Sequence, residues 1–476
     1  MQNYATLKAA LLCAFLTLFS AQAEHWVVIV AGSKGYSNYR HQSDACHVYH
    51  VVRRHGIPAE NVILMMYDDI AWHERNPYPG QLFNKPMTKN ASHEDVVAVD
   101  VYKGCNIDFR GIEVTPDTFV NVLTGNSSGA FNKKVLRSTD TDRVFINFID
   151  HGSRGNVYFP NMKPLAASRL KKAMRTMYDK KMYKELVLYV EACESGSMFS
   201  DSFLKSINAY VTTAANGFES SWATYCPPFD LVNGKSIGSC LGDLYSVNWM
   251  EDSDLTDLSN ETLKTQYHRI KNETTKSHVK SFGSSQLRHE IVGNYQSTYD
   301  QNDSSTFSIE HSKTLDTTCI HDTAFRIQSA VDARDVDLVV AFYRYLRAVP
   351  GKDRRGFANE LSNIVYGREA SDEVFETIKV LYEQHTNMPF VSRVEEPKNL
   401  KCHDEIFRDF QTSCAFIGGF TGYALKYAGT LVDLCESNLQ QGKILAIVHD
   451  ACRIVNQSQR FASRNGVFDL NTVMFD

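Results

Sequence analysis

Leu186-Val187-Leu188-Tyr189-Val190-Glu191-Ala192-Cys193-Glu194-Ser195-Gly196-Ser197 is the stretch from which the fold of this chain is read. Its first half is apolar and too short for a helix core. Its second half is small and polar. Such a run reads as a buried strand ending in a turn, which puts Cys193 at a strand tip. Val144-Phe145-Ile146-Asn147-Phe148-Ile149, followed by Asp150-His151-Gly152, repeats the pattern upstream and puts His151 at a second tip. Neighbouring strand tips of a parallel sheet face one crevice. A thiol that meets an imidazole there is a nucleophile beside its base.

The flanking sequence supports that sheet. Trp26 to Ala31, Asn61 to Met66 and Asn208 to Ala215 are further short apolar runs that read as strands. Between them, Asp44 to His55, Thr115 to Leu123, Leu165 to Tyr178 and a segment from Phe199 read as helical, with Thr115 and Pro116 as start signals. Alternating strands and helices predict an α/β sandwich around a mostly parallel sheet. Gly32-Ser33-Lys34-Gly35 ends the first strand but lacks the spacing of a phosphate loop. Arg40 and His41 follow on the same rim, and the topology would bring Glu191, Ser221 and Asp243 there too. An Arg and acids in an apolar crevice would read both ends of an Asn or Gln carboxamide. A salt-bridge network at the sheet edge is the alternative reading of the same residues. Gly152 and neighbouring backbone donors would face a developing oxyanion.

Lys8, the apolar run Ala9 to Phe19 and Ser20-Ala21-Gln22-Ala23 form a secretory signal, so the expected mature start is near Glu24. The run is too short to span a bilayer, and no second long apolar span follows. A net charge of -5 with 16 neutral histidines gives no support to a nucleic-acid surface. Of the 11 cysteines, Cys13 leaves with the signal. Cys226 and Cys240 flank a Pro-rich loop and would close it. Cys402, Cys414, Cys435 and Cys452 suggest two bridges, for which sequence alone allows three pairings. Cys46, Cys105 and Cys319 have no obvious partners, and Cys46 reads as a buried free thiol in a helix. No pair has the spacing of a zinc or iron–sulfur site, so neither metal nor cofactor is expected. Asn90, Asn126, Asn260, Asn272, Asn302 and Asn456 begin glycosylation sequons.

Ile149-Asp150-His151-Gly152-Ser153, Glu191 to Ser197, Asn38-Tyr39-Arg40-His41-Gln42 and Leu241-Gly242-Asp243-Leu244-Tyr245-Ser246-Val247-Asn248-Trp249-Met250-Glu251-Asp252-Ser253 together resemble the legumains, the asparaginyl endopeptidases or vacuolar processing enzymes. The resemblance runs from about residue 24 to 453. It implies a caspase-like fold and hydrolysis after Asn, less readily after Asp. It makes Cys193 the nucleophile, His151 the base and Asn38 the residue that orients the imidazole. Asp150 matches an aspartate that cyclises to a succinimide in some members. Arg40, His41, Glu191, Ser221 and Asp243 match the S1 lining, and Gly152 with the Cys193 N–H matches the oxyanion hole. It also implies the pairs Cys402–Cys435 and Cys414–Cys452. Expected partners are protein and peptide substrates, the chain's own carboxyl-terminal domain and cystatin-type inhibitors. Expected localisation is the secretory pathway leading to lysosome or vacuole. The insertion between Cys226 and Cys240 is more like that of plant enzymes, and residues 352 to 374, with Lys352-Asp353-Arg354-Arg355, look longer than usual.

After Asp254 the sequence turns polar as far as residue 318, and Asn294 and Asn302 are candidate self-cleavage positions there. Beyond about residue 323 the periodicity is helical, in Val339 to Leu346, Asp372 to Tyr382, Ile406 to Phe410, Tyr423 to Leu434 and Ile444 to Ile454. The expected division is a signal at 1–23, a peptidase domain at 24–288, a linker at 289–323 and a helical inhibitory prodomain at 324–476. If carboxylates paired with bases hold that cap, their pKa values should be depressed and acid should loosen it. A peptide ligase using the same thioester is the alternative within enzymes. A secreted binding protein without catalysis is the alternative outside them.

Overall fold

The computed structural model describes residues 23–89, 95–96, 98–298, 323–392 and 399–464. The signal segment, Asn90, Asn302 and Cys319 lie outside them. Six strands form the central sheet: β1 (His25–Ala31), β2 (Val62–Met66), β3 (Arg143–Ile149), β4 (Glu185–Glu191), β5 (Ala209–Thr213) and β6 (Lys280–Gly283). Their order is β6-β5-β4-β3-β1-β2. The first five are mutually parallel, and β6 pairs antiparallel with β5. The chain leaves β1 for β2 on one side and returns to β3 on the other. That reversal opens a crevice outside the carboxyl ends of β1 and β3, where ligands of such sheets bind.

Both faces of the sheet are covered, which is why its strands read as near-continuous apolar runs. Val27, Ile29, Phe145, Val187 and Tyr189 pack against Val48 and Val51 of α1 (Tyr39–Arg54) and Trp249 of α4 (Leu244–Leu255). Val28, Val30, Ile146, Leu186 and Leu188 pack against Phe119 of α2 (Pro116–Leu123) and Leu170 and Met174 of α3 (Ala167–Asp179). Each such large side chain contributes about 1.5–3 kcal/mol on burial. Thr115 caps α2 as its sequence predicts, its hydroxyl accepting the Thr118 N–H at 3.1 Å.

Three local readings change. Helix α1 begins at Tyr39, directly after a 3-10 turn at Tyr36–Asn38, so Arg40 and His41 sit on its first turn. Cys46 is no free thiol: it is bonded to Cys105 across 59 residues, a partner no local pattern announces. As far as residue 298, the polar stretch after Asp254 is structured. It supplies α5 (Leu263–Glu273), edge strand β6 and a short helix, Gly293–Gln296, in which Asn294 is buried.

The carboxyl-terminal part is a helical body of α6 (Val336–Arg347), α7 (Lys352–Thr386), α8 (Leu400–Ser413), α9 (Ala428–Cys435) and α10 (Gln441–Arg464). The basic cluster at 352–355 opens α7. Phe375 of α7 stacks on Phe410 at 4.9 Å and on Tyr427 at 4.7 Å, at the centre of its core. Cys402–Cys435 ties α8 to α9, and Cys414–Cys452 ties the end of α8 to α10. Cys226–Cys240 closes the Pro-containing loop. No helix among the described residues is long and apolar enough to cross a membrane.

Candidate active site

Three strand ends supply the site. β1 leads to Asn38, Arg40 and His41, β3 to Asp150, His151 and Gly152, and β4 to Cys193. The ladder continues past the strands, with Gly32 N–H donating to Ile149 O at 3.0 Å and Asp150 N–H to Glu191 O at 3.0 Å. The tips are thereby held side by side. A Cβ on Gly152 would lie 2.0 Å from the Cys193 carbonyl oxygen, so only glycine lets the two turns approach this closely.

His151 Nε2 lies 2.9 Å from Asn38 Oδ1. Its ring meets that of His41 edge-on, with centroids 5.1 Å apart. His41 Nδ1 is 2.6 Å from Ser33 Oγ, a contact the sequence does not suggest. Cys193 is buried and is the only free cysteine among the described residues. Its sulfur accepts the Ser221 N–H at 3.3 Å and lies 3.8 Å from Ser221 Oγ. His41, Asp150 and His151 each bring a ligand-type atom within 4.8 Å of the others, the one grouping among the described residues that would suit a metal.

All five residues expected in the pocket are buried beside this pair. Arg40 Nε donates to Asp243 Oδ1 at 2.8 Å. Glu191 Oε2 accepts from the Ser246 N–H and Oγ, both at 3.0 Å. Arg40 Nη2 and Asp243 Oδ2 are buried without a hydrogen-bond partner. Burial raises the carboxyl pKa of Asp150, Glu191 and Asp243, and Arg40 opposes the rise at Asp150 and Asp243. Burial, then the charges of Arg40 and Arg334, push His151 down to about 3. Burial pushes the Cys193 thiol up to about 11, against the pull of Arg334. Thiol and imidazole are therefore both neutral in this state.

The helical body closes the crevice. The short strand Val331–Asp332 adds antiparallel to Trp222–Thr224, and Ala333 N–H donates to Ser221 O at 3.0 Å. Arg334, buried, forms an ion pair with Glu194 and donates to Gly152 O at 3.4 Å and Ser220 Oγ at 3.3 Å. A Cβ on Gly422 would come 3.7 Å from His151 Cε1. Arg154 Nη2 pairs with Asp433 at 2.8 Å. Nothing in the local sequence marks Arg334, which reaches 140 residues back along the chain. The expected depressed carboxylate is found at Glu251, where burial is outweighed by the charges of Lys85 and of Arg326 from the carboxyl-terminal part, but not at the Arg334 contact. Burial outweighs Arg334 and raises Glu194 to about 7, and burial likewise raises Asp332.

Comparison with known proteins agrees with this geometry. The profile of the Peptidase C13 family matches residues 25–298, and that of the legumain prodomain matches residues 359–452. Legumain of Mus musculus is 38% identical over 440 residues, covering 90% of this chain and 92% of that one. The vacuolar-processing enzyme delta-isozyme of Arabidopsis thaliana is 34% identical over 447 residues, covering 91% of each. Legumain of Bos taurus is 49% identical over a shorter span of 267 residues, 56% of this chain and 57% of that one. A strand-tip cysteine and histidine, a buried charged pocket and a disulfide-tied helical prodomain thus stand in one chain, which belongs to the Peptidase C13 family of cysteine proteases, the legumains, in zymogen form.

Proposed function

We propose that this protein cleaves peptide bonds after Asn, and after Asp at acid pH, and that its carboxyl-terminal domain inhibits it until removed. The observation that carries the reading is the pair of buried atoms Arg40 Nη2 and Asp243 Oδ2, a donor and an acceptor without hydrogen-bond partners, the latter 3.6 Å from His41 Nε2. An Asn side chain offers a carbonyl to the first and an amide to the second. A protonated Asp side chain offers the same pattern, which confines Asp cleavage to acid pH.

The chemistry follows from the neighbours. His151 takes the Cys193 proton as sulfur adds to the scissile carbonyl, and returns it to the leaving amine as the C–N bond breaks. Water then resolves the thioester with His151 again as base. Asn38 holds the imidazole by the contact at 2.9 Å. The N–H groups of Gly152 and Cys193 take the oxyanion. In the capped chain the neutral thiol is a poor nucleophile. Exposed Asn126, Asn260 and Asn272 are available to glycans, in keeping with a secretory route to lysosome or vacuole.

Reaction of acid-treated protein with an Asn-based thiol-reactive probe, followed by peptide mapping, tests the reading. Labelling of Cys193 is expected, and no labelling would leave only a binding role. Product masses with an added amine acceptor separate the outcomes after acylation. Hydrolysis products are expected, and a product joined to the amine would make the enzyme a ligase.

A further inference from the structure

Behind the pocket lies a second layer of buried polar groups that the chemistry above does not use. Asp44 projects from α1, one turn beyond Arg40, and is fully buried. Its Oδ2 accepts the backbone N–H of Asp243 at 3.1 Å. Its Oδ1 accepts from Asn84 Nδ2 at 2.5 Å. Asn84 Nδ2 also reaches Leu241 O at 3.0 Å, and Ser43 Oγ donates to the same carbonyl. The backbone on both sides of Gly242 is thus gripped from α1 and from the loop at residue 84. Gly242 has no room for a side chain. A Cβ there would lie 2.9 Å from Asn84 Nδ2, 3.0 Å from Asp44 Oδ1 and 2.5 Å from Val247 Cγ2. Asn84 is fixed in turn by His47 Nδ1 at 2.6 Å, and His47 Nε2 lies 2.8 Å from Asp254.

We propose that Asp44 and Asn84 are specificity-positioning residues. They clamp the Leu241–Asp243 backbone so that Asp243 Oδ2, beside Arg40, is presented to the P1 carboxamide. Neither residue touches substrate. The proposal rests on the reading of the pocket as the P1 site.

Two features make the clamp more than ordinary packing. Asp243 stands on a two-residue strand, Gly242–Asp243, whose only ladder partner among the described residues is the short strand Trp222–Thr224. Its position therefore depends on side-chain contacts more than on a sheet. Asp44 also adds a fourth buried carboxyl to Asp150, Glu191 and Asp243 around a single cation, Arg40. Burial and the nearby Asp243 carboxylate raise its pKa.

The test compares wild type, Asp44→Asn and Asn84→Ala after processing in trans by a trace of wild-type enzyme. Active sites are counted by alkylation of Cys193 with iodoacetamide. kcat/KM is then measured for two peptides differing only at P1, Asn against Ala. Asp44→Asn keeps the volume and the acceptor for Asn84 but loses the acceptor for the Asp243 N–H. Loss of one such buried bond is expected to lower the Asn-to-Ala preference about tenfold. The expected change lies in KM for the Asn peptide, with the alkylation rate unchanged. Asn84→Ala should act in the same direction. An unchanged preference in both variants overturns the clamp, as does an equal fall for both peptides, which marks a structural role alone. Failure of the wild type itself to prefer Asn overturns the pocket reading and, with it, this one.

Discussion

Replacing Arg334 by Ala should open the zymogen without cutting it. Arg334 is 5% exposed and reaches Glu194, Gly152, Ser220 and, at 3.5 Å, the Gly422 carbonyl. It touches both turns that carry the catalytic candidates, His151–Gly152 and Cys193–Glu194. Its removal leaves Glu194 buried without its counter-charge. Breaking a buried pair costs about 3–5 kcal/mol. Glu194 can take up a proton near neutrality, since burial holds its pKa at about 7, and that relief favours the lower end. About 3 kcal/mol shifts the closed-to-open ratio roughly a hundredfold. The assay is the alkylation rate of Cys193 in intact protein at about pH 7, with mass spectrometry confirming an uncut chain. The rate should rise at least about tenfold over wild type. Arg334→Lys should fall between the two, because one ammonium cannot replace the guanidinium fork. Arg347→Ala removes a peripheral pair with Asp230, at 3.3 Å and 36% exposed on the Arg side, and should change the rate little. An alkylation rate unchanged by Arg334→Ala would refute the reasoning that this contact holds the cap shut.

Acid should open the cap through His151, with Glu251, whose pKa Lys85 and Arg326 lower against its burial, acting in the same direction. The closed state holds His151 at about 3, whereas an exposed imidazole titrates near ~6.5. Between these values only the open state binds the proton, so closure is full above the open value and weakens as pH falls, by up to about 3 kcal/mol at about pH 4. Glu194 has the opposite sign: with a raised pKa of about 7, it favours closure at acid pH and loses that effect as pH rises. Protease access to the cap junction in a Cys193→Ala background should increase on acidification and flatten when His151 is also changed to Gln; tighter closure in acid would mean that Glu194 prevails. Arg40→Ala should lower kcat/KM for a P1-Asn peptide by roughly 10- to 150-fold, the value of a charge-assisted bond, and an unchanged value would remove Arg40 from the pocket. Breaking Cys46–Cys105 by double replacement with Ser should cost about 2–5 kcal/mol and lower Tm in a thermal melt, and an unchanged Tm would show that the bridge does not stabilise the fold.

The sheet was legible because β1, β3 and β4 are buried on both faces, and double burial writes uninterrupted apolar runs into a sequence. Cys193 and His151 were legible for the same reason, each following one of those runs within two residues, whereas Asn38 was named only through the resemblance. The pocket was less so. Ser221 and Asp243 lie far along the chain, so their grouping with Arg40 hung on the topology, a sheet-edge salt-bridge network was the alternative, and the resemblance named them as pocket lining. Arg334, Ser33, Asp44 and Asn84 left no trace, since a polar contact made across the fold has no local period. The Cys46–Cys105 bridge failed for that reason too. The polar stretch after Asp254 misled because α5 is amphipathic and edge strand β6 is only partly buried, so neither shows a strong apolar run.

Cleavage after Asn should depend on Cys193. The most direct test is to incubate an unfolded protein substrate at about pH 5 with acid-processed wild type and with Cys193→Ala processed in trans and freed of wild-type enzyme, and to map every new terminus by mass spectrometry. Termini after Asn, with a minority after Asp, are expected in the wild-type digest and none in the Cys193→Ala digest. Termini without preference for Asn, or the same termini from Cys193→Ala, would contradict this expectation.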